Sequence, residues 1–130
     1  MRSPVSPLNH ALFDRIDDAT HVPVFDFVPA GKAPPYIVLT DTASSEWKTK
    51  TVSGADVTAS IKVISVYLGD KEVAELADTV IAAISSPTLT QLTGDWAVAV
   101  VSLVGHTVER LETHREATIQ FKFTIIDMKG

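Results

Sequence analysis

The sequence predicts an α+β domain: a mostly antiparallel sheet with two helices packed on one face. Three observations carry this expectation. Val73, Leu76, Ala77, Val80, Ile81 and Ile84 recur at helical spacing, with Glu72, Glu75 and Asp78 off the centre of the stripe. Ile119, Phe121, Phe123 and Ile125 alternate against Thr118, Gln120, Lys122 and Thr124, the period of a half-buried strand. The elements follow one another as helix, strands, helix, strands, an order suited to two helices over one antiparallel sheet.

Ser6-Pro7 reads as a helix start, with Ser6 as cap and Pro7 in the first turn, followed by Leu8, Ala11, Leu12 and Ile16 at helical spacing. That helix is expected to stop near Asp17, because Asp17 and Asp18 put negative charge at the negative end of its dipole. Val22 to Val28 reads as extended, interrupted by Pro23 and closed by Pro29, which implies an edge or irregular strand. After the turn-rich residues 31–35, Tyr36-Ile37-Val38-Leu39 has the character of a short buried strand. Asp41 to Asp56 is polar and rich in Ser and Thr, with Trp47 near its centre; it reads as a mobile loop or as the tip of a long hairpin.

From Val57 to Leu68 the chain is strongly β-branched, and both faces turn apolar toward its end, as in a central strand covered on two sides. Gly69-Asp70 supplies a turn and a cap for the second helix, which Ser85-Ser86-Pro87 ends. Trp96 to Val104 is a further strand, apolar on both faces, and the charged stretch His106 to Glu116 reads as its hairpin connection to the closing strand Thr118 to Ile126. Apolar residues on both sides of two strands leave a surface for a partner subunit. The other reading is that Trp96 and its neighbours lie under a long loop of their own chain.

A length of 130 residues with 45% hydrophobic content supports one compact domain, residues 1–130, with a real core. The absence of cysteine excludes disulfides, thiolate metal sites and cysteine nucleophiles. A formal charge of -5, evenly spread, argues against gripping nucleic acid, which needs a basic face to release counterions from phosphate. Asn9, His10, Asp14 and Arg15 interrupt any apolar core of a secretory signal, so synthesis in the cytoplasm is expected. The longest apolar runs are strand-length, and insertion in a membrane is not expected.

Chemistry finds little support. His10, His21, His106 and His114 have no ligand partner at helical or ribbon spacing, although His106 and His114 would approach each other if they faced across the final hairpin. Asp70, Glu72, Glu75 and Asp78 are the ordinary polar face and N-terminal acids of an amphipathic helix. Gly31, Gly54, Gly69, Gly94 and Gly105 are isolated, so no phosphate loop is present, and Ser44-Ser45 and Ser85-Ser86 lack a nucleophile elbow. No catalytic, cofactor-binding or metal-binding residue is assigned, and no enzymatic activity is expected.

A succession of short patterns resembles the tail-completion or tail-terminator proteins of long-tailed phages and of phage-derived gene transfer agents. The early helix and its proline-flanked strand look like Leu8 to Ile16 and Val22 to Pro29; the strand start Pro35-Tyr36-Ile37-Val38-Leu39 is similar too. Ser44-Ser45-Glu46-Trp47-Lys48-Thr49-Lys50-Thr51, then Gly54, the strand Ser60 to Tyr67, Gly69 and the helix Lys71 to Ile84 carry the clearest likeness. Leu89 to Trp96, a strand, a charged connection and Ala117 to Ile126 complete it, so nearly the whole chain is covered. Where that family often has a tryptophan before the second helix, this chain has Val66-Tyr67. The resemblance implies a homo-oligomer, a hexameric ring at the head-proximal end of the tail, in a virion or phage-like particle. Its implied partners are the tail tube protein and a head-completion protein, with DNA passing through the lumen without specific binding. The competing expectations are a small monomeric or dimeric ligand-binding or regulatory module and, more weakly, a hydrolase.

Trp47 lies in a polar, Ser/Thr-rich segment with no local apolar stripe for its large side chain to join. Either it anchors a subunit or tail-tube contact, with Lys48 and Lys50 setting orientation at the rim, or it folds back onto its own sheet.

Overall fold

The computed structural model describes residues 3–66, 70–85 and 90–129. Two helices, α1 (Val5–Ala19) and α2 (Lys71–Ser85), accompany six strands: β1 (Val24–Phe25), β2 (Tyr36–Lys48), β3 (Ser53–Ser65), β4 (Gln91–Leu92), β5 (Trp96–Arg110) and β6 (Arg115–Asp127). They form one sheet in the order β1-β2-β3-β6-β5-β4, antiparallel except for the short parallel pair β1–β2.

The centre of the sheet is the β3–β6 pair, where Val57 faces Phe123, Ala59 faces Phe121 and Ile61 faces Ile119. All six are buried. An alanine opposite a phenylalanine lets the large ring lean across the neighbouring strand without a void. The alternate row, Asp56, Thr58 and Lys62 against Thr118, Lys122 and Thr124, is polar, and it carries ion pairs from Lys62 to Glu116 (3.0 Å) and Lys122 to Asp56 (3.9 Å). Leu8, Leu12 and Ile16 of α1, and Val73, Leu76, Ala77, Val80 and Ile84 of α2, join the same buried cluster as the apolar strand row. The expected α2 stripe is buried, with Ile81 partly so and Ala83 added to it. Arg15 ties the helices together by donating from Nη1 to the Ala83 carbonyl (2.9 Å), one of the carbonyls a helix C-terminus leaves unpaired.

Several boundaries differ from expectation. Pro4, not Ser6, holds the cap position of α1; its carbonyl accepts the Leu8 N–H, and Ser6 lies inside the first turn. The helix continues past Asp17 and Asp18 to Ala19, because burial of Ile16 outweighs the small dipole penalty of two solvated acids. Of Val22 to Val28 only Val24–Phe25 pairs, at the sheet margin, where the carbonyl of Pro23 accepts the Ile37 N–H (2.9 Å) and its missing N–H does no harm. Asp41 to Asp56 is the hairpin and no mobile loop: β2 and β3 run to a tight turn in which the Thr49 N–H donates to the Val52 carbonyl (2.7 Å). The expected Tyr67-Leu68 strand end, Gly69 and Ser86-Pro87 lie outside the described residues.

The largest correction concerns His106 to Glu116. This stretch is mostly strand: β5 continues to Arg110 and β6 begins at Arg115, leaving only residues 111–114 as the turn. His106 faces Ile119 across the ladder, so it does not meet His114 in the turn. Asp70 holds this hairpin to the start of α2. Its carbonyl accepts the Ala74 N–H as the expected cap residue would, but its carboxylate turns away from the helix and accepts from Arg110 Nη2 (2.9 Å) and Arg115 Nε (3.2 Å).

Gly54 lies opposite Trp47 on the β2–β3 hairpin, and it is buried. A Cβ there would collide with the Ile125 carbonyl and sit 2.6 Å from the Trp47 ring, so the position needs glycine for close approach. Gly54→Ala is expected to lower stability by about 1–3 kcal/mol, the range for overpacking, in denaturant melts of the isolated chain. Neutral behaviour would mean that neither the Ile125 carbonyl nor the indole approaches Gly54 so closely.

The hydrogen bond from Arg110, with that from Arg115 and the charge of both, holds the Asp70 carboxyl below its ordinary value despite some burial that opposes this. A carboxyl lowered in the folded state contributes stability above its unfolded value, near 3.9, and loses it as pH falls through the lower folded value. Asp70→Asn is therefore expected to lower the melting temperature at pH 7, with the gap to the parent closing toward pH 3 and in high salt. A gap unchanged with pH would contradict an ionic clamp.

Candidate functional site

Nothing in the geometry gathers chemistry. Among the described residues no three His, Asp or Glu side chains converge as a metal site, and no buried side-chain polar atom lacks a partner. His10 pairs with Asp14 one turn along α1 (3.3 Å), both largely exposed. Thr113 Oγ1 lies 3.0 Å from His114 Nδ1, a contact between chain neighbours in the final turn. Ser65, fully buried, donates its hydroxyl to Glu72, tying β3 to α2. These are contacts of architecture.

Two depressions are large enough to notice. One, about 680 Å³, lies between α1 and β2 and is lined by Asn9, His10, Phe13, Asp26 and Leu39, with Thr42 hydrogen-bonded to Asn9 at its wall (3.1 Å). The other, about 400 Å³, opens at the tip of the β2–β3 hairpin beside Pro4, Trp47, Lys48, Gly54, Trp96 and Asp127. The hairpin thus brings Trp47 and Lys48 into one shallow apolar notch. Lys50 stands apart in the exposed turn residues 49–52. Trp47 is half-buried, one side of its indole lying over Gly54.

Sequence reasoning offered the start of β5 as a partner surface but missed its continuation as an exposed strand to Arg110. Its first residues, Trp96 and Val98, are buried, but from Ala99 to Arg110 every side chain except half-buried Val101 is exposed. Val100, Leu103, Val104 and Val108 are among the large hydrophobic residues on the surface. Bulges at Ala99 and Val104, where the register with β6 shifts, bend this strand. On its outer side β4 pairs only with Trp96 and Ala97, so among the described residues no strand covers the remainder of that edge. A long apolar edge is the feature that soluble monomers suppress. The available signal was the recurrence of Val, Leu and Thr through residues 100–108, which the surrounding charges obscured.

Residues 12–126 match the family model of the tail completion protein gp17. The fold is similar to that of a chain in the virion of a native gene transfer agent particle, with a TM-score of 0.74 at 20% sequence identity, covering 97% of this chain and 99% of that one. No curated protein matches. At that identity the virion chain speaks for the fold, while the family match spans nearly the whole sequence and carries the assignment. A structural role in a phage-type tail, within the virion, agrees with a surface that offers a bare strand edge and no gathered chemistry: the chain belongs to the tail completion protein gp17 family.

Proposed function

We propose that this chain, acting as a single domain over residues 1–130, caps the tail tube as a ring of identical subunits, six in number, which ends tail polymerisation and forms the joint to the head-completion proteins. Family membership supports this reading. The observation that carries it beyond the family is the exposed edge from Ala99 to Arg110, whose backbone and apolar side chains call for another chain. In this reading both helices lie on the apolar face of the sheet; the buried helix residues other than Ala83 share one cluster with Val57, Ile61, Phe121 and Phe123, which supports it. The polar row of Asp56, Thr58, Lys62, Gln120 and Lys122 then faces away from them, suited to water or to a passing duplex that it does not grip. The protein acts by contact alone, without cofactor or catalysis.

Trp47, Lys48 and Lys50 form the contact at the hairpin tip in this reading. The indole is held by Gly54 on one side and offers the other to a neighbour or to the tube, while the lysines steer approach from the rim. Particles lacking the protein test the role: electron micrographs should show tails of unregulated length, or tails unattached to heads. Tails of normal length joined to heads would refute the reading and favour a small ligand-binding module.

Trp47→Ala tests the contact. It should weaken assembly by roughly 2 kcal/mol or more, measured as the protein concentration needed to complete tails in vitro, beyond any loss explained by a lower melting temperature. A destabilised variant whose remaining folded fraction completes tails as well as the parent would assign Trp47 to the fold alone.

A further inference from the structure

The sheet has a second open margin. On the outer side of β2, β1 pairs only with Ile37 and Val38, and among the described residues no strand pairs beyond them to Lys48. Just past β1, on that same margin, stands Phe27, 81% exposed and the most exposed large hydrophobic side chain of the described chain. The opposite margin is the bare stretch of β5, with Val104 58% exposed and Leu103 and Val108 each 42% exposed. One chain therefore carries two unsatisfied edges at opposite margins of one sheet, the β5 edge with apolar side chains along it and the polar β2 edge flanked by Phe27.

The two edges match in direction and in level. Successive antiparallel pairings from β2 through β3 and β6 make β5 run opposite to β2. Two copies set side by side by a rotation would thus bring β2 of one beside β5 of the next as an antiparallel pair, continuing the ladder already present. Phe25 is level with Val38, Val38 with Lys62, Lys62 with Thr118 and Thr118 with Thr107. Phe27, two residues further on, leaves the sheet near the level of Gly105 and Val104. An exposed phenylalanine at one edge is level with an exposed valine and leucine at the other.

We propose that the occupant of the β5 edge is a second copy of this chain: the outer edge of β2 beyond β1 pairs with residues 99–106 of its neighbour, and Phe27 seats against the neighbour's Leu103 and Val104. The inference deepens the ring reading and rests on it. Such a contact is heterologous, each copy giving one edge and receiving the other, so repetition closes a ring when the rotation permits. Pairing of β5 with itself would end at a dimer and leave Phe27 and the β2 edge bare.

The chain has no cysteine, so introduced thiols report without background. Phe27 and Val104 are both surface residues, at opposite margins in the strand order, which makes Phe27→Cys and Val104→Cys mild changes, and a bond within one copy would leave the chain a monomer on the gel. The full chain carrying both substitutions is assembled at raised concentration and in tails, then oxidised. The expected result is a ladder of covalent multimers on denaturing gels, while each single variant runs as monomer. A covalent dimer from Val104→Cys alone would overturn the proposal in favour of β5 self-pairing. A double variant that enters tails yet gives no ladder would overturn it while leaving the ring reading intact. A chain that stays monomeric at every concentration and is absent from tails would bring down both.

Discussion

The pairing of β3 with β6 is the interaction on which the rest of the molecule depends. It places Val57, Ala59 and Ile61 beside Phe123, Phe121 and Ile119, and this buried row shares one core cluster with the apolar residues of α1 and α2. The two hairpins then extend outward from that centre, β2 on one side and β5 on the other. The α2 helix lies against β3, β5 and β6, and α1 lies against α2, β1, β2 and β4, while the outer stretch of β5 stays exposed. In the proposed ring, another chain completes the sheet along that exposed edge.

How much of this could be read from the sequence follows from where the apolar residues fall. The α2 stripe and the alternation in β6 are dictated by burial on one side and water on the other, and both elements lie where the pattern puts them. The outer halves of β2 and β5 obey no such rule. Ser44, Ser45 and Glu46 in β2, and His106, Thr107 and Glu109 in β5, are exposed, so their strand conformation rests on backbone pairing with β3 and β6 rather than on burial. A polar strand held by its neighbour's ladder looks like a loop in one dimension. The two-residue β4 is shorter than any periodicity can reveal.

Of the expected contact residues, Trp47 and Lys48 come together at the notch, and Lys50 is carried at the turn beyond it. The glycine that receives the indole was visible only as an isolated turn residue, since the Trp47–Gly54 pairing exists only once the hairpin register is known. The same limit hid the second role of Asp70: its position before α2 marks a cap, while Arg110 and Arg115, which claim its carboxylate, lie about forty residues further along the chain. Contacts of this kind belong to topology and not to local pattern.

A core that stabilises the centre of a sheet and membership of the tail completion family describe a structural protein of a phage-type tail, and the proposed work of that protein is to stop one assembly and join it to another. The most direct measurement of that claim is the number of copies per particle, obtained by quantitative mass spectrometry against the tail tube protein in particles with tails of different lengths. A terminal ring predicts about six copies, independent of tail length. A copy number that rises with the length of the tube would contradict the account, because it would place the chain along the tail instead of at its end.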